Sequence, residues 1–184
     1  MRRWAPIALS LLVLTAGCGT ADTPAPAAPA PASAAAATGA TTTGTATTDY
    51  TAADALYRQM MPGLNLPPGV SFPAHLPESD GRYQANLGLV TAQNFWLCSW
   101  LWRYLDTAPM ARASVQTADA QAAVKNLLLY NRMDAYTKAL DARGQQAVDH
   151  AVKAAQSGDR QTVTSFTQST CAGPFFSQSH AAKH

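Results

Sequence analysis

Apolar residues are spread unevenly along this chain. Residues 4–14 form a nearly continuous apolar run. Residues 20–48 hold only Ala, Thr, Pro, Gly and Ser with the single charge Asp22, and from 49 onward apolar side chains return at helical spacing. The pattern predicts a short helix over 51–61, with Thr51-Ala52-Ala53-Asp54 as its capping box and Pro62-Gly63 as its stop. Residues 62–77 carry five prolines and cannot be helical. Leu64 and Leu66, then Val70 and Phe72, alternate as in an extended strap with one side inward. A second helix is expected over 81–105, capped by Ser79 or Asp80. Leu87, Val90, Asn94, Leu97, Leu101 and Leu105 recur at its helical steps.

After Thr107-Ala108-Pro109, Thr117 caps a third helix. Val124, Leu127 and Leu128 share one face; Leu129, Met133, Tyr136 and Leu140 share another, roughly opposite. The pattern is read as one long helix buried on two sides, with a break near 131–134 as the alternative. Gly144 separates a fourth helix, 145–156, with Val148, Ala151, Val152 and Ala155 inward. A fifth starts at Asp159, carries Val163 and Phe166 inward, and stops at Ala172-Gly173-Pro174. Phe175 and Phe176 are expected to fold back onto the bundle. The fold class is therefore all-α: a small bundle of four to five helices with a Pro-rich extended loop, preceded by a disordered linker. The helical domain spans 49–176, and 177–184 read as a flexible tail.

The 184 residues allow one domain or two, and 13 basic against 11 acidic residues give a formal charge of +2. No basic cluster offers the footprint that nucleic-acid binding needs. In the 29-residue spacer 20–48, Pro24, Pro26, Pro29 and Pro31 favour extended chain, reaching at most ~90 Å. It reads as a bare tether or, through its threonines, an O-glycosylated stalk.

The chemistry-bearing residues are few. Between 95 and 102 the second helix is apolar nearly all round, Phe-Trp-Leu-Cys-Ser-Trp-Leu-Trp. A helix of that kind is central and surrounded. The competing reading is an exposed aromatic face of Trp96, Trp100, Trp102 and Arg103 that binds an apolar ligand, a glycan or a partner, with Arg103 stacked on an indole. Of the three cysteines, Cys98 and Cys171 make an even pair for a disulfide if Cys18 is taken up elsewhere and the compartment is oxidising. The alternative is a catalytic thiol at Cys98 with His150, which apolar surroundings disfavour. His180 and His184 share a helical face but lack a third metal ligand. Glu78, Asp80 and His150 are the only candidates for a hydrolase. No Gly-x-Ser-x-Gly elbow and no phosphate loop is present. No cofactor is expected.

Met1-Arg2-Arg3, the apolar run and Thr15-Ala16-Gly17-Cys18 form a charged start, a hydrophobic segment and a small-residue cleavage site. Leu14-Thr15-Ala16-Gly17-Cys18 resembles the bacterial lipoprotein lipobox, with Thr15 where Leu is usual. The resemblance covers residues 1–18 only. It implies that 1–17 are a signal peptide, that Cys18 receives a diacylglycerol thioether and an amine-linked acyl chain such as palmitate, and that the mature chain is held to a membrane. It would be the outer membrane where the organism has one, since Gly19 is not Asp. Removing Arg2 and Arg3 from 13 basic residues leaves 11 against 11 acidic, a neutral mature chain. The expected function is a non-catalytic module of the cell envelope that engages an envelope protein or the cell wall. The alternatives are a ligand binder acting through the Trp-rich helix and an envelope hydrolase.

Overall fold

The computed structural model describes residues 46–79, 81–108, 110 and 117–180. The expected signal peptide, Cys18, nearly all of the expected linker, Asp80 and His184 lie outside the described residues. The elements run β1 (Thr47–Thr48), α1 (Tyr50–Met60), β2 (Tyr83–Gln84), α2 (Leu87–Thr107), α3 (Ala118–Leu127), α4 (Ala142–Gln156), α5 (Arg160–Thr170) and the single turn α6 (Pro174–Ser177). The body is all-α, with α2 at its centre against α1, α3 and α5, and with α4 on α5. Phe95, Trp96, Leu97, Cys98, Ser99, Trp100 and Leu101 are all buried, as expected for a helix apolar on every side. Among the described residues no helix is long and apolar enough to cross a membrane.

The start of the body differs from the sequence reading. Thr47 and Thr48, placed in the linker, pair antiparallel with Gln84 and Tyr83. That pairing occupies the stretch expected as the first turn of the second helix, so α2 begins at Leu87 after Asn86. Its N-cap position is Asn86 and not Ser79. The cap of α1 is Asp49, whose carboxylate accepts from Ala52 N at 2.9 Å, rather than Thr51. Asp54, expected in a capping box, faces inward instead.

Three residues one to two turns apart on α1 hold the Pro-rich strap. The Tyr50 hydroxyl donates to Leu76 O at 3.0 Å and the Tyr57 hydroxyl to Pro73 O at 3.0 Å. Between them Asp54 accepts from Leu76 N, from His75 Nδ1 and from Arg58 Nε, all within 3.0 Å. Residues i, i+4 and i+7 share one helical face, so a run of polar-tipped side chains replaces the strap's missing ladder bonds. Burial works to raise the Asp54 pKa. The hydrogen bonds from His75 and Leu76 and the attraction of His75 and Arg58 outweigh it, and the carboxyl sits below its ordinary value.

α1 crosses α2 at Gly88. A Cβ built there would lie 2.1 Å from Ala53 O and 2.6 Å from Tyr57 N, so only glycine permits this approach.

The expected long third helix is broken, as in the alternative reading. α3 ends at Leu127, a 3₁₀ turn spans Tyr130–Arg132, and a π-turn spans Ala135–Ala139. Two side chains of α2 hold the break: Gln93 Oε1 accepts from Ala135 N at 2.6 Å, and Asn94 Oδ1 accepts from the Tyr130 hydroxyl at 2.5 Å. The bend turns Tyr130 and Ala135 onto the face that α3 already buries, while Leu128 and Leu129 are left exposed. Gly144 does not separate α4 but lies in its first turn, where its N–H donates to the capping Asp141 carboxylate at 2.7 Å. Arg160, at the start of α5, donates to Leu105 O and Ala108 O and so neutralises the C-terminal end of α2.

Candidate functional site

The Trp-rich segment is the natural place to look for a site. Trp96 is 2% exposed and Trp100 7%. Their rings meet edge to face at 6.4 Å, and both indole N–H groups donate to one acceptor, Asn65 O of the strap, at 2.8 and 3.1 Å. The exposed aromatic face is therefore overturned for these two residues: the strap covers them and takes up their only polar atoms. Arg103 stacks on neither indole but reaches Asp119 on α3 at 2.7 Å. Trp102, half-buried, stacks on the His180 ring at a centroid distance of 4.5 Å and 12°.

His180 also meets Asp106 Oδ2 at 2.9 Å. Together with the buried Ser179 it docks residues expected in a flexible tail. Its imidazole is engaged by α2, and its predicted neighbour His184 is outside the described residues. Cys98 and Cys171 form a disulfide across 73 positions, with Cα atoms 5.6 Å apart, linking the middle of α2 to the C-terminal end of α5. Cys98 is thus no free thiol for His150.

Of the hydrolase candidates, Asp80 lies outside the described residues, and Glu78 and His150 are not brought together. His150 on α4 lines open grooves with residues of α4 and α5, whereas Glu78 lines a separate groove beside the strap; the two share no lining residue. Among the described residues no three His, Cys, Asp or Glu side chains cluster as metal ligands would.

A groove at Glu78 is the candidate whose lining is mainly apolar and aromatic. It holds about 330 Å³ between the end of the strap, the start of α2 and α6. Leu76, Leu87, Tyr83, Phe175 and Phe176 supply apolar walls. Their positions are braced from behind. Leu76 is pinned by its backbone to Asp54 and Tyr50. The Tyr83 hydroxyl accepts from Ser79 N at 2.9 Å and donates to Ser79 O at 3.0 Å. Phe175 sits edge-on to Tyr57 and to Phe95, at 6.0 and 5.7 Å. Sequence reasoning missed this site because its walls come from three distant segments. The inward folding of Phe175 and Phe176 was its one legible signal. No protein family, curated protein or solved structure matches this chain.

Proposed function

We propose that the chain is an extracytoplasmic lipoprotein, anchored through acylated Cys18, that serves the cell envelope as a non-catalytic interaction or accessory module. The observation that carries this reading is the Cys98–Cys171 disulfide. Bonds of this kind persist in oxidising compartments outside the cytosol, and the lipobox-like start of the chain directs it to such a place. The pairing also leaves Cys18 as the one cysteine free for lipid. Two or three acyl chains hold a protein firmly, at about 0.8 kcal/mol per buried CH₂. The spacer then sets the domain's reach from the membrane.

Intact mass of the protein extracted from its own envelope tests the reading, before and after reduction and alkylation. A diacylglycerol-sized increment, with Cys98 and Cys171 alkylated only after reduction, is expected. Cys18→Ser should lose the increment and leave the membrane fraction. An unmodified Cys18 on a protein that still sediments with membranes would overturn the anchor.

A further inference from the structure

The groove between the strap and α6 combines apolar walls with one kind of charge. Its lining contains the carboxylate of Glu78 and no Lys, Arg or His. Glu78 has no hydrogen-bond or ion-pair partner among the described residues, and it is exposed. Arg82, four positions on, donates to Thr47 Oγ1 at 2.9 Å and does not line the groove. An isolated carboxylate at the rim of an apolar, aromatic cleft selects by charge. Anionic amphiphiles are repelled, and cations are attracted to the carboxylate while their apolar part meets the walls. At about 330 Å³ the cleft lies at the small end of the ~300–1,000 Å³ range of ligand sites. The braced walls mean that little side-chain freedom is lost on binding.

We propose that this groove binds a small cationic amphiphile: an ammonium or quaternary ammonium group paired with Glu78, on a short alkyl or aryl stem lying against Leu76, Leu87, Tyr83, Phe175 and Phe176. The site is independent of the lipid anchor, so it stands or falls apart from the localisation.

The test is calorimetric titration of the purified full-length protein carrying Cys18→Ser, which requires no lipid, with buffer dilution heats subtracted. The probes are hexyltrimethylammonium, hexanoate and hexanol. Saturable binding of the ammonium, at least about tenfold tighter than hexanoate, is expected. Glu78→Gln should remove most of that preference and leave hexanol binding as it was. Glu78→Lys should reverse the preference, an outcome that loss of folding cannot imitate. Thr91→Trp, which fills the groove from α2, should abolish binding of all three. No binding of the ammonium, equal binding of cation and anion, a preference untouched at Glu78, or undiminished binding by Thr91→Trp would each overturn the proposal.

Discussion

Trp96 and Trp100 share a single hydrogen-bond acceptor, the main-chain carbonyl of Asn65, at 2.8 and 3.1 Å. One carbonyl has two lone pairs, and here both are used by neighbouring turns of the same helix. The contact fastens the strap over the centre of α2. It also makes the two tryptophans energetically dependent on each other.

Removing one donor leaves Asn65 O satisfied by the other; removing both leaves it without either indole donor. Trp96→Phe and Trp100→Phe should therefore cost less singly than together. The excess in the double variant should be about 1 kcal/mol, the net worth of an ordinary hydrogen bond at a part-buried acceptor. Urea denaturation of the four proteins measures it. Strictly additive losses would show that Asn65 finds another donor.

The crossing of α1 and α2 gives the sharpest steric prediction. Gly88→Ala places a methyl 2.1 Å from a backbone oxygen of α1, where no flexible side chain can yield. A loss of about 3 kcal/mol is expected, at the upper end for overpacking, against a fraction of that for an ordinary helical Gly→Ala change. A neutral or stabilised Gly88→Ala would mean the helices lie further apart than described.

Reduction of Cys98–Cys171 should lower stability by roughly 4 kcal/mol, from the loop entropy of a 73-residue separation. Denaturation midpoints with and without reductant read this directly. The Cys98→Ala, Cys171→Ala double variant should match the reduced protein and be insensitive to reductant.

Asp54 predicts an acid limb in the stability curve. Its native pKa is depressed, so between the two values the unfolded chain binds the extra proton and stability rises with pH. The contribution is in place above the ordinary 3.8 and is lost as pH falls below it, through the lowered native value. Asp54→Ala leaves Leu76 N without its acceptor and should cost about 3 kcal/mol at neutral pH. The gap to wild type, followed by thermal melts from about pH 6 to about pH 2.5, should narrow toward the acid end. A gap that stays constant would mean that Asp54 holds the strap without titrating differently in the two states.

Much of the bundle was legible because helical periodicity is local. Val148, Ala151, Val152 and Ala155 on α4 and Val163 on α5 all face inward at the positions their spacing predicts. So was the non-helical course of the strap, since proline removes the donor whatever surrounds it. The site residues were less so. Composition marks Trp96 and Trp100 as unusual, but burial depends on what lies over them. What lies over them is Asn65, some thirty positions away. The third helix failed for a related reason: Gln93 and Asn94 offer acceptors that favour a bend at Tyr130–Ala135 over continued helix.

By itself the sequence determined the all-α class and the order of the main helices, because spacing and proline positions act along the chain; it offered Cys98 and Cys171 as a pair, and the fold brings them together as a disulfide. Only the tertiary structure decided which polar side chains turn inward, where α3 ends, and that the tryptophans are covered while a different, aromatic-walled groove lies open beside Glu78. Those outcomes depend on groups far apart in sequence. Tyr83, Leu87 and Phe175 acquire a common cleft only once the strap is fastened to α1 and the chain has returned through α5 to bring Phe175 against Phe95.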